Sequence, residues 1–256
     1  VPTPLPATRR SRRSPKSSEI DNERAIVFYR AFLLRGIMIR YIDEKAIIDP
    51  IGRELGTKTA VTTFSRHLFD LLISNYNGKE ICTIPGGVDV KVYEITANGK
   101  KLAAYMSPVG APAAVGALEE VIAGSIQNVV AFGICGALVD IPTRNFVVPT
   151  RSYRDEGTSY HYSAPADYVE LKNSDKVKAH LDLYGVKYVS GGAWTTDGFY
   201  RETRTRMEEM KKQGCIAVDM ESSALQTVCD FRGKKFYTFF ITADSLAGEE
   251  WEPNYI

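Results

Sequence analysis

PVGAPAAVGALEEVIAGSIQNVVAFGICGAL, residues 108–138, carries the reading on which the fold turns. It opens on a Gly/Pro turn at Gly110 and Pro112. It continues as an Ala-rich helical stretch to Ser125, then becomes a buried strand that runs into Gly133 and Gly136. A turn, a helix of about ten to fifteen residues and an apolar strand in succession are the unit of layered α/β proteins.

The unit recurs on both sides. Upstream, TAVTTF (59–64) is β-branched and strand-like, and SRHLFDLLISNY (65–76) is a helix with Ser65 as its cap. KVYEIT (91–96) and KLAAYMS (101–107) flank Asn98-Gly99, a dipeptide that favours a two-residue hairpin. DNERAIVFYRAFLLR (21–35) reads as a helix capped by Asp21. Downstream come a strand at NFVVPT (145–150), a helix from Ser174 to Gly185, and a strand at KYVSGGAWTTD (187–197). RTRMEEMKKQG (204–214) is helical, IAV (216–218) a short strand, MESSALQTVCDF (220–231) a helix and KFYTFFITADSL (235–246) a strongly apolar strand. The hairpin breaks a purely parallel alternation. The expected fold is therefore α/β, a three-layer sandwich with a mixed central β-sheet flanked by helices. No repeat or linker divides residues 19–256, which read as one domain.

Composition narrows the function classes. The chain has 256 residues, 32 Lys+Arg against 31 Asp+Glu, and 11% aromatics. Length and balanced charge fit a chain that buries a core without staples. Wholesale disorder is excluded. Residues 1–18 hold five basic residues and no acid, leaving the remainder at 27 basic against 31 acidic, a net −4. A body with no positive excess is a poor nucleic-acid binder. The Pro/Ser/Arg-rich head reads as an unstructured or appended terminus, with a basic arm as the other reading. No apolar run suits a signal peptide or a membrane span. Cys82, Cys135, Cys215 and Cys229 make no C-x-x-C pair, and His67, His161 and His180 stand far apart. Neither a disulfide framework nor a metal site is expected, and the setting expected is cytoplasmic.

Four junctions hold polar or glycine-rich residues at strand ends, where open α/β sheets collect ligands. The turn at MSPVGAP (106–112) can present N–H groups to an anion, although such turns also occur for packing alone. Gly133 and Gly136 permit close approach of a ligand or of a helix. RDEGTSYHY (154–162) is a dense polar-aromatic loop suited to a hydroxyl-rich ligand, or one that satisfies itself. VDMESSAL (218–225) places Asp219 and Glu221 at a helix mouth, and Asp244 ends the apolar strand. Desolvation there would make Asp244 a proton donor, the other reading being a helix cap.

PVGAP, FGICGAL, RDEGTSYHY, WTTDGFYRET and VDMESSAL together resemble the nucleoside phosphorylase family, that of uridine phosphorylase and the purine nucleoside phosphorylases, from about residue 45 to 256. The likeness is to the uridine phosphorylase-like branch. It implies a pentosyltransferase that cleaves an N-glycosidic bond with phosphate, giving free base and ribose 1-phosphate, with no organic cofactor or metal.

By this resemblance the catalytic residues are Glu221, accepting from the ribose 2′- and 3′-hydroxyls, and Asp244, protonating a purine base. Met220, Asp219, Phe199, Tyr200, Thr195, Thr196, Gly133, Gly136, Arg154 and His161 line the substrate. Gly110 and Arg154 hold phosphate. A homo-oligomer, a dimer or trimer of dimers, completes the site.

Some family features are replaced. The Gly-Asp-Pro-x-Arg turn has only an echo in Asp49-Pro50-Ile51-Gly52-Arg53, and Ala131 and Ile134 stand where phosphate ligands are common. The Gln and Arg of a uracil pocket are absent, with Glu202 and Arg204 in that stretch. Little chain follows for a C-terminal helix. A phosphate-independent nucleosidase and an inactive nucleoside-binding protein are the alternatives.

Overall fold

The computed structural model describes residues 41–86, 89–248 and 250–253, in the unit Tyr41–Ile256. The basic head and the helix expected over 21–35 lie outside the described residues.

Ten strands are described: β1 (Thr59–Thr63), β2 (Lys79–Ile84), β3 (Val90–Ala97), β4 (Lys100–Met106), β5 (Asn128–Ala137), β6 (Phe146–Asp155), β7 (Tyr168–Glu170), β8 (Tyr188–Thr196), β9 (Cys215–Asp219) and β10 (Lys235–Ser245). The helices are α1 (Arg66–Asn75), α2 (Ala111–Ile122), α3 (Ser174–Leu183), α4 (Arg204–Lys212) and α5 (Ser222–Phe231). Single 3-10 turns lie at Ser159–His161 and Phe199–Arg201.

All strands join one mixed sheet in the order β10-β6-β8-β9-β5-β1-β4-β3-β2, with β7 on β6. β10 also pairs with β5, so β5, β9, β8, β6 and β10 close into a ring from which β1, β4, β3 and β2 extend. Closure needs curved strands. Register shifts between Pro149 and Arg151, Gly192 and Ala193, and Thr242 and Asp244 supply the bends. The mixed sheet with flanking helices is the expected class. The closed ring is a feature that strand alternation alone does not show.

Period-two alternation along β4 explains why helices cover both faces. Ala103 and Tyr105 enter a core with Leu118 and Val121 of α2 and Leu225 and Val228 of α5. Ala104, one residue over, packs with Phe69 of α1 and Ile95. Met207 and Met210 of α4 cover Trp194 and Val218.

Local signals worked where they are chemical. Ser65 accepts from the Leu68 N–H at 3.4 Å and caps α1. Asn98 and Gly99 both have positive φ, 50° and 72°, and join β3 to β4. The differences lie at boundaries. β6 runs on to Asp155, so Arg154 and Asp155 belong to a strand rather than a loop. Asn173, not Ser174, occupies the cap position of α3. β2 and β7 had no clear pattern. All four cysteines are free. Among the described residues no helix is long and apolar enough to cross a membrane.

Candidate active site

After β4 the chain turns through Pro108 to Gly110, whose φ of 91° only glycine adopts readily. That conformation aims the Gly110 N–H at Glu221 Oε1, 2.7 Å away. Glu221 sits at the N-cap position of α5, just after β9. The first turns of α2 and α5 thus meet at one carboxyl group. Burial, and then the Asp219 charge, push Glu221 up to about 8, against the pull of the Gly110 and Met220 N–H groups. The Gly110 N–H expected to face phosphate is therefore engaged by Glu221.

Asp219 supports this carboxyl from beneath. Its Oδ2 accepts from the Glu221 and Ser222 N–H groups at 3.0 and 2.6 Å. Its Oδ1 accepts from Thr195 Oγ1 at 2.8 Å and Ser222 Oγ at 2.9 Å. Ser152 extends the network to Thr195 and Ser222. Burial raises the Asp219 carboxyl and these donors oppose it. With Thr195 fully buried and both Asp219 oxygens occupied, the structure places these two residues in the floor of the site rather than at its surface. Thr196 is also buried, its Oγ1 accepting from Gly198 N at 3.3 Å. Met220 is half-buried.

The segment after β8 spans the two sides. The Asp197 charge acts on Glu221. Phe199 and Tyr200 follow with ring centroids 4.0 Å apart, both exposed. Arg204 Nη1 then donates to the Leu246 carbonyl at 3.1 Å, beyond the end of β10. Asp244 lies there, after the bulge, with Oδ2 accepting from the Trp251 indole at 2.7 Å. No helix follows among the described residues, so the capping reading of Asp244 falls away. A Cβ at Gly136 would stand 3.4 Å from Asp244 Oδ1 and 2.9 Å from Val218 Cγ1, so glycine leaves room for the carboxyl. Glu202 is pushed up to about 7 by burial and by Asp244.

Arg154 and His161 do not join this group. Arg154 is buried, with Nε on Ser159 Oγ and Nη1 on the Ala164 carbonyl, both at 2.9 Å. Its guanidinium lies 4.2 Å from the Tyr160 ring, and burial pulls its pKa down. It lines a cavity with Tyr162, Thr227 and Phe231, beside the distal half of α5. His161 is exposed on the 3-10 turn. The dense loop largely satisfies itself: Glu156 accepts from Thr158 N, Ser159 N and Ser223 Oγ. Strand alternation separates Ala131, which is buried, from Ile134, which is exposed on the other face of β5. A Cβ at Gly133 would meet the Phe64 ring at 3.0 Å. The Asp49–Arg53 echo packs at the wrong end of α2. Ile51 N and Gly52 N lie 3.4 Å from the Glu120 carboxylate oxygens. A 12-residue helix puts that end about 18 Å from Gly110.

Buried carboxyls gather at strand ends beside two helix N-termini, with an aromatic pair in the segment after β8. The family profile of the phosphorylase superfamily matches residues 58–255, and the chain belongs to that superfamily. The purine nucleoside phosphorylase DeoD-type of Bacillus subtilis (strain 168) is 30% identical over 165 residues, 60% of this chain and 69% of the relative. The same enzyme of Bacillus velezensis is 30% identical over 164 residues, again 60% and 69%. That of Geobacillus stearothermophilus is 26% identical over 161 residues, 60% and 68%. The chain is thereby a pentosyltransferase of the nucleoside phosphorylase kind, with phosphate as co-substrate. Sequence reasoning passed over Trp251 and Ser152, named Glu156 only within the polar loop, and noted Glu202 only where a glutamine is missing. Only spatial neighbours distinguish these residues from ordinary polar positions.

Proposed function

We propose that the chain cleaves purine nucleosides with phosphate, releasing the base and ribose 1-phosphate. The observation that carries this reading is the Glu221 carboxyl, buried and fixed 2.7 Å from the Gly110 N–H. Glu221 bonds the ribose 2′- and 3′-hydroxyls, and its ionised form, gained as pH rises through about 8, favours an oxocarbenium-like sugar. Met220 packs on the sugar and Phe199 on the base. Phosphate oxygen bonds to C1′ as the C1′–N bond breaks, and a carboxyl at the end of β10 supplies the proton the base takes with it. That carboxyl, the absence of a Gln and Arg pair, and the names of the relatives support purine over uracil.

With Arg154 bonded within its own loop, the cation for phosphate is assigned to a neighbouring copy in a cytoplasmic homo-oligomer. The test incubates inosine, guanosine, adenosine and uridine with and without phosphate and separates base, ribose and ribose 1-phosphate. Phosphate-dependent release of purine as ribose 1-phosphate is expected. Free ribose without phosphate would make it a nucleosidase, and preferred cleavage of uridine would reverse the base assignment.

A further inference from the structure

The register shift between Thr242 and Asp244 sets the half-buried Asp244 opposite Gly136. A Cβ at Gly136 would stand 3.4 Å from Oδ1, so that oxygen lies beside a bare glycine. The other oxygen, Oδ2, accepts from the Trp251 indole N–H at 2.7 Å. Among the described residues no other side-chain donor bonds this carboxyl.

Core packing does not account for Trp251. Its side chain is 57% exposed and joins none of the hydrophobic clusters of the described residues. Trp194, the other tryptophan, is buried in the core with its indole on Asp155. Yet the chain after β10 is fastened so that Trp251 returns to the strand end. Ser245 and Glu252 bond each other's backbone both ways, at 3.1 and 3.0 Å. Between them, the Leu246 N–H donates to the Ala137 carbonyl at 2.9 Å, and Arg204 Nη1 donates to the Leu246 carbonyl at 3.1 Å. What this fastening delivers is one N–H on one oxygen of a site carboxyl.

We propose that Trp251 is a positioning residue for Asp244: its N–H occupies Oδ2, so that the proton a purine base takes is held on Oδ1. The inference rests on the purine phosphorylase reading. In a protonated carboxyl the carbonyl oxygen accepts the indole N–H, and the O–H is on the other oxygen. As the C1′–N bond breaks, its electron pair stays with the base. The Oδ1 proton goes to a ring nitrogen, and phosphate oxygen takes C1′. The indole keeps its proton throughout, and water reprotonates Asp244 after release. Without the indole the carboxyl turns more freely about Cβ–Cγ, and its proton loses a fixed direction.

The experiment compares wild type, Trp251→Phe, Asp244→Asn and the double variant on inosine and on 7-methylinosine, whose cationic base leaves without a proton. Asp244→Asn is expected to lower kcat on inosine by about 100-fold. Trp251→Phe should lower it by about tenfold, with KM within about twofold, since orientation is lost and the acid is kept. On 7-methylinosine Trp251→Phe should stay within about threefold, and in the Asp244→Asn background it should cost nothing further on inosine. Its Tm should stay within about 2 °C of wild type, as for an exposed side chain. Equal loss on both nucleosides, or no loss on either, overturns the proposal while leaving the purine reading in place. If wild type cleaves neither nucleoside, the purine reading fails and the positioning role with it. The bond itself is read separately from the two indole N–H resonances of a ¹H–¹⁵N spectrum. Asp244→Ala should move the resonance that Trp251→Phe removes and leave that of Trp194 in place. An unmoved Trp251 resonance would show that the bond does not form and overturn the proposal whatever the kinetics.

Discussion

Burial holds Glu221 in its protonated form well above the ordinary carboxyl range, to about 8 from 4.5. Between those values the folded chain binds more protons than the unfolded one, so this group lowers stability as pH rises. Glu221→Gln removes the penalty and keeps an oxygen for the Gly110 N–H. Its Tm relative to wild type should be near unchanged at pH 5 and higher by about 2 °C or more at pH 8. The same variant should lose about 100-fold or more in kcat/KM above about pH 8, where wild-type Glu221 is ionised, because a neutral amide cannot favour a cationic sugar. Near-wild-type turnover would remove Glu221 from the site. Asp219 is raised by burial too, but both its oxygens are held by donors. Asp219→Asn sets an NH2 group against N–H or O–H donors now bound to Oδ1 and Oδ2, and should cost about 1–3 kcal/mol, read as a lower Tm. Glu221 drew attention through the likeness of VDMESSAL to the family, since an acid in the first turn of a helix means little by itself. Arg154 is harder to read, because a polar loop that caps itself has the same composition as one that binds sugar: Nε and Nη1 bond within the loop, while Nη2 is buried without a partner among the described residues.

At the scale of elements, the strands and helices with clear periodicity were legible. So were the turns with a chemical signature, Ser65 and Asn98-Gly99. β2 escaped notice because its burial does not alternate, and β7 because it has three residues. Closure of the ring depends on where β10 finds partners on both edges, which local pattern does not encode. Its consequence is testable at Gly136, where β5, β9 and β10 meet. A Cβ there would lie 2.9 Å from Val218 Cγ1 and Leu246 Cδ1, both of which can shift. Gly136→Ala should therefore fold but displace Asp244, lowering kcat/KM on inosine by about tenfold. Gly124→Ala is the contrast. Its Cβ would overlap the Arg53 carbonyl oxygen, which is backbone and cannot yield by a rotamer change. Tm should fall sharply there, with the pH profile of residual activity unchanged.

Across the whole molecule, the site depends on two helices that begin at it and are clamped at their far ends. Gly110 opens α2, Glu221 opens α5, and the two helices pack together over one core. Near the other end of both, Arg232 grips Glu119 through two bonds, Nε to Oε2 at 2.8 Å and Nη2 to Oε1 at 3.0 Å. Planar two-point geometry and partial burial make this pair more than a surface contact. Tyr162 reports on it optically. Its phenol is pushed up to about 12, first by burial and then by Glu119, while Arg232 pulls it down. Arg232→Met should raise the Tyr162 pKa further and Glu119→Gln should lower it, read by ultraviolet titration. Each change alone leaves one partner unpaired, and the double variant leaves none. A double-mutant cycle should then return a coupling of about 1–2 kcal/mol. If the clamp also sets the approach of the two helix starts, KM for nucleoside should rise in each single variant and recover partly in the double. A KM unchanged throughout, with the coupling intact, would confine the pair to stability and leave the Gly110–Glu221 contact to the local turn alone.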